Sequence, residues 1–273
     1  MTKAEINSAE SFLRTREIFC VAAISRFLRH DTSGIDVWQL PDESGEISSL
    51  LLHNRKRLFP MFGKNASVPA PRFLSRFFTK VPIHAIQGLQ SDAELLEALM
   101  RDMGYFSAEC LDYELMALDS PPRPRSLKAG PAGLVLRPPL PQDEEALFVL
   151  QCAYEQEEVL SAKSVFDPAV VRLNLAKILS KERLLLAELG GQVVGKINSN
   201  AHSFTRTQIG GIYVRPDCRS LGIATKMTAV FSQAILEEGR GVSLFVKKSN
   251  AAACKAYRNI GFAVVADYRI TYY

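Results

Sequence analysis

The chain has little that would tie it to a metal, a membrane or an oxidising compartment. Its 5 cysteines stand at 20, 110, 152, 218 and 254, and no two of them form a CxxC pair or a zinc-ligand spacing. An odd, scattered set of thiols suggests reduced cysteines in a cytoplasm. The 4 histidines, His30, His53, His84 and His202, are as dispersed, and no metal site is expected. No uninterrupted apolar run approaches the ~20 residues of a membrane span. The opening Met-Thr-Lys-Ala-Glu lacks a hydrophobic signal core, so a cytoplasmic location is expected. Charge of one sign is also scarce: 33 Lys and Arg against 29 Asp and Glu leave +4, too small an excess to argue for nucleic-acid binding by itself. Nowhere does the chain carry the Gly-Lys-Ser/Thr ending of a Walker loop.

What is present is a strand, a short basic turn and a helix. A β-type run over 207–214 ends at Arg215-Pro216, and a helical period without Gly or Pro runs over 226–238. Between them lies Arg219-Ser220-Leu221-Gly222-Ile223-Ala224-Thr225. The first turn of a helix has N–H groups without internal partners, and the helix dipole adds partial positive charge there. Gly222 lets the backbone approach a bulky anion. A Rossmann fingerprint would need three glycines and an acid about twenty positions on. One fingerprint glycine is present, with Glu237 and Glu238 downstream. An ordinary strand-to-helix turn with a surface arginine is the plain alternative.

A second block follows a buried strand over 241–246: Asn250-Ala-Ala-Ala253-Cys-Lys-Ala-Tyr257-Arg-Asn-Ile-Gly261-Phe262. Asn250 suits a helix N-cap, Ala253 and Tyr257 share one helix face, and Gly261 ends the helix. Together the two blocks resemble the signatures of the GNAT (GCN5-related) N-acetyltransferase family. The first is similar to its acyl-CoA loop, Gln/Arg-x-x-Gly-x-Gly/Ala. The second is similar to its Asn-x-x-Ala-x-x-x-Tyr-x-x-x-Gly-Phe pattern. The resemblance covers residues 134–273. It implies an α/β (α+β) acyltransferase fold, a mixed twisted sheet flanked by helices. The rest of this half agrees with an opening strand at 134–137, a first helix near Gln142 or Asp143, and a hairpin over 183–198 turning at Gly190-Gly191. A terminal hairpin or pair of strands is expected over 262–273.

The resemblance also implies chemistry. Acetyl-CoA would be the cosubstrate, and its acetyl group would pass directly to a primary amine. N–H groups of Arg219, Ser220, Leu221, Gly222, Ile223, Ala224 and Thr225 would hold the pyrophosphate. The backbone at Ile212, Tyr213 and Val214 would pair with pantetheine and polarise the thioester. Asn250 would bond to the pantetheine arm, and Tyr257 would be the general acid. Many family members place a Glu on the fourth strand, but Gln208-Ile-Gly-Gly stands there. Glu157 or Glu158, in a cluster with Glu155, is the expected group for binding or deprotonating the acceptor. A solvated helix end, His202 and water relays remain alternatives. So do two other functions, a catalytically silent acyl-CoA sensor and an interaction protein. The acceptor, the acyl length and any homo-oligomer stay open.

The N-terminal half lacks both signatures. Residues 120–133 contain Pro121, Pro122, Pro124 and Pro131 and read as a linker, giving an N-terminal domain over 1–119 and a catalytic one over 134–273. The N-terminal domain is expected to be a smaller α/β unit, a degenerate copy of the fold or an associated domain. It would carry a helix over 8–29, strands over 36–40, 46–52, 57–62, 83–88 and 113–118, and a helix over 91–103. Ser91 and Glu94 would form a capping box at that last helix. The basic excess lies in residues 131–273, beside the expected cofactor site. Residues 47–91 carry seven Lys or Arg and no acid. Solvated loops explain most such runs, and an acidic partner is the alternative.

Overall fold

A computed structural model describes residues 3–28, 35–41, 44–63, 74, 83–160 and 165–273. They form two compact units, residues 116–263 and residues 1–115 joined by 264–273.

In the unit of residues 116–263, β6 (Val135–Arg137), β7 (Leu184–Leu189), β8 (Gln192–His202) and β9 (Arg206–Val214) pair antiparallel in that order. β10 (Gly241–Lys247) then adds parallel to β9. The β7–β8 hairpin turns at Gly190 and Gly191, with φ of 58 and 76°, the positive angles that a tight two-residue turn demands. One sheet face packs against α7 (Ile223–Glu237) and α8 (Ala251–Ile260), in a core that includes Val194, Ile209, Met227, Phe231, Leu244 and Ile260. The other face packs Leu184 and Leu186 against Leu147 of α5 (Glu144–Tyr154) and Leu175 of α6 (Pro168–Lys181). This is the mixed sheet with flanking helices that the sequence implies. Within residues 120–133 a short helix, α4 (Pro124–Leu127), buries Ser126.

The other unit has the order β1 (Ile35–Pro41), β2 (Ile47–Asn54), β3 (Arg57–Phe62), β4 (Ala85–Leu89), β11 (Ala263–Tyr272) and β5 (Glu109–Leu118). Its first three strands are antiparallel and β3 runs parallel to β4. Leu51, Leu58 and Ile86 of this sheet bury against Ala93, Leu96 and Met100 of α3 (Gln90–Asp102).

Several expectations change here. The helix over 8–29 is two helices, α1 (Lys3–Thr15) and α2 (Glu17–Phe27), separated at Arg16, whose ψ of 12° leaves the helical range. The Ser91 capping box does not form. α3 starts one residue earlier, so Ser91 lies inside the first turn and donates to Asp92 Oδ1 at 3.3 Å. Gln90, not Ser91, engages Glu94, at 2.7 Å. The expected terminal hairpin is one long strand, because Tyr268–Tyr272 is held along its length by Leu89–Ala85 of β4. His30, and Lys64, Arg72, Arg76 and Lys80 of the basic run, lie outside the described residues.

Candidate active site

The centre of the site is a place where two parallel strands part. β9 and β10 pair only at Arg206–Gly241, Thr207–Val242 and Gln208–Ser243. Beyond Gln208 the two strands separate, and β9 continues through Ile212, Tyr213 and Val214 along the opening. Polar backbone on such an edge needs a partner, and an amide-bearing chain laid along it can supply one. The three residues singled out from the sequence therefore share this edge.

β9 is also bulged. Lys196 pairs with Tyr213 and Asn198 with Gly210, so two β8 steps span three on β9. The extra residue falls at Gly211, whose φ is +60°. A Cβ there would stand 2.1 Å from Asn198 Oδ1 and 2.9 Å from Lys196 Nζ, and one at Gly210 would stand 2.1 Å from Asn200 Nδ2. Polar side chains of β8 thus fill the space that side chains at Gly210 and Gly211 would need.

At the end of β9 the chain turns through Arg215–Ser220 into α7. Ser220 and Gly222 have φ of 63 and 78°. Gly222 is the N-cap of α7 and no side chain caps that helix, which leaves its first-turn N–H groups at Ile223, Ala224 and Thr225 for an anion. A Cβ on Gly222 would come within 3.0 Å of the Gly130 nitrogen, so the glycine answers both the backbone angle and the close neighbour. Leu221 is exposed and Cys218 is buried beneath the turn. The loop has a form that can hold an anion.

The Arg219 side chain reaches elsewhere. Its Nε donates to the Val214 carbonyl at 3.0 Å, and its two Nη groups grip Glu157 at 2.9 and 2.7 Å. The guanidinium lies 5.3 Å from the Tyr213 ring centroid. Glu157 stands on a π-helical turn, Glu155–Val159, that continues α5. The Arg219 guanidinium, helped by the Tyr213 hydroxyl and opposed by desolvation, holds its carboxyl below the ordinary carboxylate value. Glu158 is occupied too, with Asn250 Nδ2 at 3.3 Å and Lys247 Nζ at 3.4 Å. Glu155 accepts from Gln151 Nε2 at 2.9 Å. The three acids thus line one rim, each held by a different neighbour.

Asn250 caps α8 by accepting from the Ala253 N–H at 3.0 Å, as its position in the sequence implies. Tyr257 is buried on the inner face of α8, with the Phe262 ring edge-on at 6.0 Å. Burial, then the proximity of Tyr154 and Glu158, raises its phenol well above the usual value. It is therefore a neutral hydroxyl at physiological pH, able to donate. Gly261 follows α8 with a φ of 128°, and its N–H and that of Phe262 both return to the Tyr257 carbonyl.

Two residues were not singled out from the sequence. Lys196 is fully buried, its Nζ 2.9 Å from the Gly211 carbonyl, 3.4 Å from Asn198 Oδ1 and 4.8 Å from the Tyr154 ring centroid. Burial lowers its pKa to about 7, against a partial opposing pull from Glu155. Tyr154 is packed edge-on to Tyr213 at 6.5 Å, and burial pushes its phenol up to about 12. A lysine inside the apolar strand Val193-Val-Gly-Lys-Ile was the available signal. Its importance depends on Gly211, fifteen residues away, which strand pattern alone does not connect to it. Among the described residues no cluster of His, Cys, Asp or Glu could hold a metal ion.

The sequence model of the acetyltransferase (GNAT) family matches residues 146–262. No curated protein sequence matches the chain. Among solved structures the chain is similar to a Drosophila protein, at a TM-score of 0.69 and 10% identity over 100% of this chain and 97% of that one. It is similar to a GCN5-related N-acetyltransferase from Sphaerobacter thermophilus, with a TM-score of 0.56 and 22% identity over 88% and 82%. It is also similar to a tandem GNAT protein from the clavulanic acid biosynthesis pathway, with a TM-score of 0.59 and 13% identity over 97% and 95%. At these identities the likenesses establish the fold.

Proposed function

Because residues 146–262 form a domain of the acetyltransferase (GNAT) family, and so of a family of acyl-CoA-dependent transferases, we propose that this chain is an N-acetyltransferase. It moves the acetyl group of acetyl-CoA directly to a primary amine, without an acyl-enzyme. The observation that carries this reading is the parting of β9 from β10 directly before the uncapped, glycine-led start of α7. One device offers an edge for amide-bearing pantetheine and the other an anion pocket for pyrophosphate. N–H groups from Arg219 to Thr225 hold the pyrophosphate, and the backbone at Ile212, Tyr213 and Val214 pairs with pantetheine and polarises the thioester. Asn250, its oxygen engaged as a cap, has its amide nitrogen toward the acid rim. The buried Tyr257 hydroxyl gives its proton to the departing sulfur.

Glu157 and Glu158 draw the cationic acceptor to the rim. Residues 134–273 carry the chemistry, and residues 1–119 have a structural part. Among the described residues no helix is long and apolar enough to cross a membrane.

Calorimetric titration with acetyl-CoA tests the reading, with Arg219→Glu plus Gly222→Asp as the folded control. Saturable binding that the control loses, followed by amine-dependent release of CoA thiol, is expected. Binding without thiol release from any amine would turn the reading into that of a sensor, and absence of binding would end it. Gln at both 157 and 158 should raise the KM for the amine. An unchanged KM would remove these two acids from acceptor binding.

A further inference from the structure

A primary amine is an ammonium ion at neutral pH, and only the neutral amine attacks a thioester, so the site needs a proton acceptor. β9 supplies none, since Arg206–Val214 contains no acid. The rim carboxylates are poor choices. Glu157 is bound by two Arg219 nitrogens and is held more acidic than an ordinary carboxylate, while Glu158 is bound by Asn250 and Lys247. A carboxylate whose affinity for protons has been lowered removes one from an ammonium least readily.

One basic nitrogen sits against the bulge of β9. No ion pair among the described residues includes Lys196, although it is completely buried. An unpaired ammonium in that position costs several kcal/mol or more and gives up its proton instead. The glycine bulge admits it, because a side chain at Gly211 would collide with the nitrogen. Among the described residues, the Gly211 carbonyl and Asn198 Oδ1 lie nearest to it. Tyr154 and Glu155 face it from α5 and its π turn, Tyr213 from β9, and Leu186 from β7. Among these the Glu155 carboxylate is the one negative charge, and its pull is outweighed by burial.

We propose that the acceptor amine loses its proton to Nζ of Lys196, seated in the bulge of β9. This rests on the acetyltransferase reading. One proton passes from the ammonium to Nζ. The amine nitrogen then attacks the thioester carbon, the C–N bond forms, and the C–S bond breaks with its electron pair on sulfur. Sulfur takes the Tyr257 hydroxyl proton, the proton shed by the new amide nitrogen restores the phenol, and Lys196 returns its own to solvent.

The test is the pH dependence of kcat/KM for the wild type and Lys196→Met. Acetyl-CoA and a panel of tyramine, glycine, lysine and spermidine serve as probes, and CoA thiol is the readout. Methionine matches the lysine stem in an apolar setting and is expected to fold, with an unchanged calorimetric Kd for acetyl-CoA. Wild-type kcat/KM should fall about tenfold per pH unit below a break near the lysine value of about 7. The variant should lose about 100-fold at pH 8 and lose the break. A variant that keeps the wild-type break, or most of its activity, overturns the inference and leaves the acetyltransferase reading standing. A wild type that binds acetyl-CoA but turns over none of the amines overturns both.

Discussion

At the scale of single residues, the site is governed by what burial does to protons. Burial raises the Tyr257 phenol well above its usual value and lowers Lys196 to about 7, and in both it favours the uncharged form. A neutral phenol donates and a neutral amine accepts. On the proposed mechanism, Tyr257→Phe removes only the donated proton. It should lower kcat about 100-fold while the calorimetric Kd for acetyl-CoA stays unchanged; a shift in Kd instead would mark the phenol as a binding group. Lys196 also has a consequence for stability. Its proton leaves at about 7 in the folded protein, against an ordinary value of 10.5. Below about 7 both folded and unfolded chains are protonated, and the folded state bears the full cost of the buried charge. Between the two values the unfolded chain holds the extra proton, so unfolding free energy gains with rising pH. Above 10.5 the cost is gone. Lys196→Met should therefore exceed the wild type in urea midpoint most at pH 6, and the gap should close toward pH 10. A constant gap would mean that the lysine does not titrate in that interval.

At the scale of elements, the β8–β9 pair matters most. Its bulge separates two glycines that look alike in sequence terms. Gly211 has a φ of +60°, and a Cβ there would stand 2.1 Å from Asn198 Oδ1, whereas Gly190 has a φ of +58° and nothing within 4 Å of that position. Alanine at either position strains the backbone by about 1 kcal/mol. Only at Gly211 must Asn198 and Lys196 also move, so Gly211→Ala should cost about 2–3 kcal/mol. Comparison of thermal midpoints of the two variants isolates the steric part, and equal losses would show that β8 yields freely. The hairpin at Gly190-Gly191 and the Asn250 cap were legible beforehand, because each depends on neighbours within four residues. The bulge was not, although Gly210-Gly211 stood in plain view. Its cause is the side chains of another strand. The Ser91 capping box fails for a related reason: Asp92 accepts from the Phe62 N–H at 3.1 Å and lies 3.4 Å from Arg16, tertiary contacts that local spacing does not contain.

At the scale of the molecule, the last strand is the surprising assignment. Residues 264–273 belong to the same compact unit as residues 1–115. Tyr268 is buried there, and Arg269 reaches Asp112, Glu94 and Glu97 at 2.7, 3.0 and 3.4 Å. The Thr271 hydroxyl donates to the buried Glu97 carboxylate. A chain ending at residue 263 would strip β4 of its antiparallel partner and leave Glu97 a buried charge without these donors. Such a chain should lose cooperative unfolding of residues 1–115, seen as early amide exchange across β1–β4. Native protection of those amides would show that β11 is dispensable.

The sequence by itself determined the acyltransferase fold of the C-terminal half, whose residues 146–262 match the acetyltransferase (GNAT) family model, and the places of Arg219, Gly222, Asn250 and Tyr257. These are properties of short, contiguous spacing, which a helix start, a cap or a strand end imposes within a few residues. Tertiary structure alone decided that Arg219 turns to Glu157, that Lys196 is buried against Gly211, and that the final strand completes the other unit. Each of these depends on which distant residues share one small volume. Burial there sets whether a lysine keeps its proton and whether a strand edge finds its partner.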